Sequence, residues 1–369
     1  MGYYAAKDFF EDDKLVEFVT AVLSGNLTLS WYDPGTARVK ARPADPQRGL
    51  TYDDCNLGPY GYDDIPEMVR NRNSMAARGS ALPPGLPDLG YLINRKSDVW
   101  AENVPALYEE AKARRWAPAV DVAWGEILAR RETVREAATA QACTLLEEVA
   151  LVAMEAPARW VFVINQEFLE LKSFLCAQMI DEGRHVEACR KRALLSGQGL
   201  GPASVAAEQA LKELLSAETY PEASVATNLL LGSFVLAMYR ALAALAGTPA
   251  ERRLWTLSMQ DVARSVAYGV ANVRYHLTHQ PGRSAALAEY LDRSEHTVLG
   301  IAGSAEFLEP LIVLAAGSLE PTALRAGSDF ARRWFSRAVE DYFERCAAAG
   351  LGDRRGRSRL TAVAASLAA

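Results

Sequence analysis

The chain has 369 residues, half of them apolar, and a formal net charge of −6, so it is long enough to bury a sizeable core. Its basic residues are interleaved with acidic ones, which argues against a nucleic-acid-binding face, and no run of eighteen apolar residues is free of charge, which argues against a membrane span. The five cysteines contain no C-x-x-C pair and no signal-peptide run precedes them, so we expect reduced thiols and a cytoplasmic protein.

Residues 1–95 are rich in proline, glycine, tyrosine and aspartate, and they contain a single helical pattern near Asp13–Leu23. This texture predicts an irregular N-terminal arm that lies over a larger body. We expect several tryptophans to anchor the arm on that body: Trp31, Trp100, Trp116, Trp124 and Trp160.

From residue 96 onward, apolar residues recur at three- and four-residue spacing, which is typical of helices. The predicted helices cover residues 98–128, 131–156, 165–196, 203–246, 250–280, 284–299 and 321–349. Pro157 should end the second helix and Pro221 should divide the fourth. Helices of this length pack best side by side, so we expect an all-α protein with a bundle over 96–300 and C-terminal helices packed on it over 301–369.

The chemically informative residues read Asp181-Glu-Gly-Arg-His185, within an apolar helix. Glu182 and His185 are three residues apart, so they project from one helix face, where a carboxylate and an imidazole can bind one metal ion. The same spacing also occurs by chance on solvated faces. Glu148 lies 34 residues before Glu182 in another apolar helix, far enough for the chain to turn and return antiparallel. We therefore predict Glu148, Glu182 and His185 as metal ligands and assign no catalytic residue.

An altered copy of this motif follows 80 residues later. The charged scaffold residues persist and the predicted ligands are replaced. The aligned pairs are Asp181 with Asp261, Arg184 with Arg264, Glu148 with Asn228, Glu182 with Val262, and His185 with Ser265. The repeat predicts a two-metal site of which one half is retained and the other lost.

These residues resemble the hydroxylase components of bacterial multicomponent monooxygenases, which act on toluene, phenol, methane and propane. Their large subunits carry Asp-Glu-x-Arg-His in both halves and bind two irons, whereas their small subunits have the same bundle without irons. The segment Ala226–Leu231, the pattern Gln178-x-x-Asp181-x-x-Arg184 and the long arm are similar to small subunits. The resemblance covers about residues 98–300. It implies a ferritin-like four-helix bundle, an iron cofactor, a larger hydroxylase subunit as partner, and a reductase or ferredoxin as electron donor.

Three functions stay open at this point. The chain is the small subunit of a di-iron monooxygenase hydroxylase or a close derivative, or a stand-alone non-haem iron oxygenase that modifies a small-molecule substrate in a biosynthetic pathway. The third function is a structural or regulatory bundle with a vestigial site. Self-association into a homo-oligomer is an alternative to a larger partner.

Buried carboxylates without a metal need another source of positive charge. We predict two ion pairs across the bundle, Asp181 with Arg264 and Asp261 with Arg184. His276 and His279 lie at a helix end, where they interact favourably with the helix dipole, and we interpret them as capping residues rather than metal ligands.

Overall fold

The computed structural model describes residues 12–29, 31–32, 41–55, 65–69, 90–128, 133–195, 197 and 199–368. Across those residues the regular structure is helical and no β-strand occurs, so the predicted all-α class is confirmed. The chain divides into two compact units, one of Met1–Asn94 with Asn165–Glu167 and one of Arg95–Ile164 with Phe168–Ala369. The proline-rich stretch at 82–87, predicted as part of the arm, lies outside the described residues.

The described residues of the first unit form two helices, α1 (Asp13–Leu23) and α2 (Tyr52–Cys55). Asp12 caps α1 by accepting a hydrogen bond from the backbone N–H of Leu15. A short polar side chain at this position satisfies one of the N–H groups that a helix start leaves unpaired. The helix predicted near Asp13–Leu23 is therefore confirmed.

Where the structure describes the second unit, it forms fourteen α-helices. They are α3 (Lys96–Val99), α4 (Val104–Ala113), α5 (Pro118–Asp121), α6 (Trp124–Leu128), α7 (Thr133–Val161), α8 (Leu169–Leu195), α9 (Val205–Leu214), α10 (Tyr220–Ser224), α11 (Gly232–Leu245), α12 (Pro249–His279), α13 (Ser284–Ala302), α14 (Ala305–Ala316), α15 (Pro321–Ala348) and α16 (Arg359–Ala368). A π-helix, Val225–Leu231, joins α10 to α11.

The predicted helices over 165–196, 250–280, 284–299 and 321–349 correspond to α8, α12, α13 and α15. The single helix predicted over 98–128 is wrong, because four short helices occupy that region. Pro105 and Pro118 lie in the first turns of α4 and α5, where proline starts a helix because its missing N–H would be unpaired there in any case.

Two further prolines act differently from each other. Pro221 lies in the first turn of α10, so the helix predicted over 203–246 is divided as expected. Pro157 does not end the preceding helix, since α7 continues through it to Val161. One backbone hydrogen bond is lost there, and the long packing surface between α7 and α8 offsets that loss.

The bundle consists of α7, α8, α11 and α12. The most extensive packing joins α7 to α8 and α11 to α12, while α8 also contacts α12. One apolar cluster takes residues from all four helices, and among its members Leu146, Ala188, Leu242 and Leu254 are almost fully buried. Outside the bundle, α14 packs on α7 and α15 packs on α11.

Two helices, Val134–Val161 and Tyr220–Leu245, are long and apolar enough to cross a membrane by length and composition, or three if Pro281–Ala302 and Ala305–Ala316 form one bent span. In the structure, 61% and 72% of the apolar stretches of the first two are buried inside the protein. A helix at the centre of a bundle is apolar on most of its faces. Burial in the bundle therefore accounts for their apolar character.

Candidate functional site

The motif residues lie where α8 and α12 face each other inside the bundle. Asp181, Arg184 and His185 on α8 are all less than one-tenth exposed, as are Asp261 and Arg264 on α12. Residues three or four apart share one face of a helix, so each motif presents its charged side chains to the other helix. The two motifs that the sequence repeat aligns therefore lie on the facing surfaces of α8 and α12.

Both predicted ion pairs are present. Arg264 Nη2 lies 2.8 Å from Asp181 Oδ2, and Arg184 Nη2 lies 3.2 Å from Asp261 Oδ2. Each arginine also pairs with the aspartate three residues before it on its own helix. The four side chains therefore form a closed ring of charge that connects α8 to α12, and a buried ring of this kind is costly to break at any one member.

His185 extends this ring toward Glu182. The His185 Nδ1 atom lies 3.0 Å from Glu182 Oε2, and its Nε2 atom lies 3.3 Å from Asp261 Oδ2. Complete burial disfavours the imidazolium, but the negative charge of Glu182 and the hydrogen bonds to Asp261 and Glu182 outweigh it and raise the pKa of His185 to about 10. His185 is therefore a cation at neutral pH.

The charges at the bundle centre balance. The cations are Arg184, His185 and Arg264, and the carboxylates are Asp181, Glu182 and Asp261. Because this network contains equal numbers of buried positive and negative charges, no added ion is needed to neutralise it.

The two aspartates differ in acidity. Burial opposes the ionisation of Asp261, but its hydrogen bond to His185 and the charges of His185 and Arg264 lower its pKa to about 2. Burial, followed by the negative charge of Asp261, raises the pKa of Asp181. Asp181 is therefore the first of the two to take up a proton when the pH falls.

Trp116 completes the surroundings of Asp261. Its indole Nε1 donates a hydrogen bond of 2.7 Å to Asp261 Oδ2, and the Arg184 guanidinium lies 5.6 Å from the centre of its ring. Trp116 is 4% exposed and precedes α5 in the chain. Sequence reasoning treated Trp116 as an anchor for the arm and missed this contact, because nothing local marks a partner 145 residues away.

Glu148 does not join Glu182 and His185. Its side chain is half-buried on α7, and burial followed by the charges of Glu208 and Glu147 raises its pKa. Glu148 does not line the cavity beside Glu182. Within the described residues, no group of three histidine, cysteine, aspartate or glutamate side chains is arranged to hold a metal ion. Metal binding by the predicted ligands stays a prediction, and the structure brings only two of the three together.

A cavity of about 20 Å³ lies beside Glu182, where five helical segments meet: α7, α8, the π-helix, α11 and α12. It is lined by Val149, Ala150, Ala153, Gln178, Glu182, Thr227, Asn228, Leu231, Gly232, Val235, Tyr239, Val262 and Ser265. The repeat partners of Glu182 and His185, which are Val262 and Ser265, line the opposite wall as the sequence repeat implies. A cavity of this size has room for about one water molecule.

Glu148 and its repeat partner Asn228 differ in their relation to this cavity. Asn228 lines the cavity from the π-helix, and Val149 rather than Glu148 lines it from α7. A π-helix closes its hydrogen bonds over five residues rather than four, which changes the register relative to an α-helix.

The residues at this site do not fit a two-metal centre. Val149, Ala153 and Val262 offer no lone pairs, and Glu182 and His185 are already paired with each other. The Gln178 amide nitrogen donates a hydrogen bond of 2.8 Å to Asn228 Oδ1, so that oxygen is also engaged. Carboxylates and imidazoles from several helices are the ligands that such centres need, and the walls of this cavity supply one carboxylate, Glu182, and no imidazole.

The remaining histidines and Tyr268 have structural contacts. His276 Nδ1 lies 3.0 Å from the Ser97 carbonyl, and His279 Nδ1 lies 2.8 Å from the Tyr275 carbonyl in the last turn of α12. Tyr268 is completely buried and its hydroxyl donates a hydrogen bond of 2.7 Å to the carbonyl of Val99. Tyr268 is therefore a core residue.

Comparison with solved structures finds R2-like ligand-binding oxidases. A Val→Ala mutant with an anaerobically reconstituted Mn/Fe cofactor is 18% identical, with 68% of this chain and 94% of that chain covered and a TM-score of 0.50. The oxidase with an aerobically reconstituted Mn/Fe cofactor after a long soak is 19% identical, with 68% of this chain and 93% of that chain covered and a TM-score of 0.49. A Tyr→Phe mutant with an anaerobically reconstituted Mn/Fe cofactor is 20% identical, with 68% of this chain and 94% of that chain covered and a TM-score of 0.49. At these identities the likeness shows the fold, a ferritin-like helical bundle. No family model matches the chain, and no curated protein matches its sequence.

Proposed function

We propose that the chain is a supporting, small-subunit-like component of a non-haem di-iron monooxygenase hydroxylase, or a close derivative of one, and that oxygen chemistry takes place on a larger partner chain. The ferritin-like fold supports this lineage, since it is the fold of the R2-like ligand-binding oxidases that the chain resembles. One observation carries the proposal. The centre of this bundle contains a balanced network of ion pairs where a catalytic bundle of the same architecture has metal ligands.

The network also opposes metal binding energetically. A cation bound by His185 requires the neutral imidazole, so the proton that Glu182 and Asp261 stabilise on the ring must leave first. The Glu182 carboxylate would then pair with the metal ion instead of with the His185 imidazolium. Because the existing charges already balance, an added divalent ion would leave an excess of positive charge in a low-dielectric interior.

The same network gives the chain a supporting role. The four-membered ring of charge joins α8 to α12, and Trp116 and His185 both contact its member Asp261. These contacts hold α8 and α12 at one register and so keep the outer faces of the bundle in a defined shape. A subunit that binds its partner but does not catalyse the reaction needs an outer surface of defined shape.

In this proposal the partner is a larger hydroxylase subunit. A reductase or ferredoxin would supply its electrons, the partner would bind the small-molecule substrate, and the assembly would lie in the cytoplasm. The proposed assembly binds neither nucleic acid nor a membrane.

The test is affinity purification of the full chain from cells that produce it naturally, followed by identification of co-purifying chains. We expect a larger chain with two intact Glu-x-x-His motifs, and we expect a Glu182→Gln/His185→Gln variant to retain both the partner and the hydroxylase activity of the assembly. A chain that oxidises a substrate without any partner, and loses that activity in the double variant, would overturn the proposal.

A second candidate, a stand-alone non-haem iron oxygenase, is favoured by one observation. Gln178 is 4% exposed and lines the cavity beside Glu182, yet its Oε1 atom has no hydrogen-bond partner. A buried acceptor without a donor is a place for a water molecule or a small cation.

Anaerobic loading with ferrous iron, followed by metal analysis, decides between the two candidates. Stoichiometric iron that is lost in Glu182→Gln and retained in the lining control Ser265→Ala would favour the oxygenase.

A further inference from the structure

We propose that a second cavity of the bundle, the apolar cavity, binds one uncharged apolar molecule of two or three heavy atoms. This cavity has a volume of about 40 Å³ and is lined by residues of α7, the π-helix, α11, α13, α14 and α15. None of these residues belongs to the ion-pair network of α8 and α12, so the proposed site is independent of the proposed function.

The wall of the apolar cavity offers no hydrogen bond to an occupant. Apart from the indole N–H of Trp334, every described residue of the wall has a hydrocarbon or thioether side chain, and no polar atom there is exposed to the cavity. The Trp334 Nε1 atom donates a hydrogen bond of 3.1 Å to the Ala237 carbonyl, so this donor is already satisfied. A buried water molecule needs about two to four polar partners, and a cavity without them stays dry.

Contacts among the helices hold the wall in place. Phe307 of α14 and Trp334 of α15 pack with their ring centres 5.7 Å apart, and the hydrogen bond to Ala237 connects Trp334 to α11. Leu146 of α7 and Met238 of α11 are 3% and 2% exposed. A closely packed wall relaxes only partly around empty space, so an occupant that fits gains dispersion contacts without displacing water.

The volume of the apolar cavity limits the size of its occupant. One water-sized sphere needs about 10–15 Å³, so a volume of about 40 Å³ holds two or three heavy atoms. An apolar cavity of about 150 Å³ takes benzene. A xenon atom or a molecule of cyclopropane should therefore fit in the cavity of this protein, and benzene should not.

The cavity beside Glu182 provides an internal comparison. Its wall shares Val149, Leu231 and Val235 with the apolar cavity, but it also includes Gln178, whose buried Oε1 atom has no hydrogen-bond partner. A buried acceptor of this kind suits a water molecule. The three shared residues therefore lie between a site suited to water and a site suited to an apolar molecule.

Ala302 provides the substitution that blocks the apolar cavity. It is the last residue of α13 and lines the cavity, so Ala302→Val places two further carbon atoms in the space of the proposed occupant. Ala286→Val is the matched control. Ala286 lies exposed in the first turn of the same helix, so the same change of side chain there leaves the cavity open.

The experiment is X-ray diffraction from crystals of the full chain under xenon pressure. We expect one xenon atom in the apolar cavity of the unsubstituted protein and of Ala286→Val, and none in that cavity in Ala302→Val. In solution, xenon NMR should show displacement of the bound xenon by cyclopropane and no displacement by benzene at the same concentration.

Three results would overturn the proposal: ordered water in the apolar cavity, no xenon in it, or xenon that remains there in Ala302→Val. Displacement by benzene as effective as that by cyclopropane contradicts the proposed size of the occupant. If Ala302→Val does not fold, the comparison of cyclopropane with benzene still decides, because it uses the unsubstituted protein.

Discussion

His185 is held between two carboxylates in a fully buried part of the bundle, and its charge is set by them. Glu182 lies on one side of the ring and Asp261 on the other. Burial is the largest single influence and disfavours the imidazolium, but the two carboxylates together outweigh it and raise the pKa of His185 to about 10. The side chain that sequence reasoning predicted as a metal ligand therefore supplies positive charge itself.

Removal of one charge from this network should destabilise the fold. In Glu182→Gln the buried His185 cation loses one of its two carboxylate neighbours, and breaking a buried pair from one side costs about 3–5 kcal/mol. His185→Gln should cost a similar amount. In the double variant a charge of each sign is removed, so its loss should be smaller than the sum of the two single losses. Urea denaturation of the four proteins measures this, and a Glu182→Gln protein as stable as the unsubstituted one would contradict the prediction.

The stability that His185 contributes should depend on pH. Its folded pKa of about 10 lies above its ordinary value of 6.5, so the folded state holds one more proton than the unfolded state between these values. The contribution is complete below pH 6.5 and is lost as the pH rises through 10. In that window, the free energy of unfolding of the protein relative to His185→Gln should fall by about 1.4 kcal/mol per pH unit. A difference that is constant from pH 7 to pH 10 would show that the ring is neutral.

Among the helical elements, the contact between α12 and the π-helix is the closest approach near the site. A Cβ atom on Gly269 would lie 2.6 Å from the Asn228 Cβ and 3.2 Å from the Leu229 backbone nitrogen. Gly269 is therefore needed for α12 to lie against the π-helix that carries Asn228 to the cavity. A glycine inside a helix normally weakens it, so its presence here reflects packing rather than helix formation.

Gly269→Ala should lower the free energy of unfolding by about 1–3 kcal/mol, because the added methyl group forces the two helices apart. Gly183→Ala on α8 is the matched control. A Cβ there would meet only the Met154 sulfur, at 3.8 Å, and alanine favours a helix by about 1 kcal/mol over glycine. Thermal melts of both variants should move in opposite directions. Equal shifts would mean that the α12 contact is not tight.

Sequence reasoning predicted the features that depend on local pattern and missed those that depend on contacts between distant residues. Helical periodicity placed α8 and α12, and the repeat correctly predicted the pairing of Asp181 with Arg264, because both depend on local pattern and on symmetry between helices. The π-helix at Val225–Leu231 and the absence of Glu148 from the cavity wall were not predicted, because neither helical periodicity nor the repeat specifies which face of α7 meets α8. Trp116 was missed because its partner is set by tertiary packing alone.

At the scale of the second unit, α13, α15 and the C-terminal segment are joined by another buried ion cluster. Arg354, between α15 and α16, has an exposed fraction of 0%, and its Nη2 atom lies 2.6 Å from Glu295 Oε1 and 2.6 Å from Asp292 Oδ1 on α13. Glu295 also accepts hydrogen bonds from the Tyr342 hydroxyl of α15 and from Ser358. One carboxylate therefore connects α13, α15 and the segment that leads to α16.

Arg354→Ala should release the C-terminal segment while the bundle stays folded. The substitution leaves Glu295 buried without its cation, at a cost of about 3–5 kcal/mol, and this cost is avoided if the segment bearing Ser358 moves away and admits water. Limited proteolysis should then cleave after residue 349 much faster than in the unsubstituted protein, while the helical circular dichroism of the bundle changes little. Arg355→Ala is the matched control, because Arg355 is exposed and pairs with Glu340 on the surface, so its loss should leave the cleavage rate unchanged. Equal cleavage of the two variants would mean that apolar contacts of α16, rather than Arg354, hold the C-terminus in place.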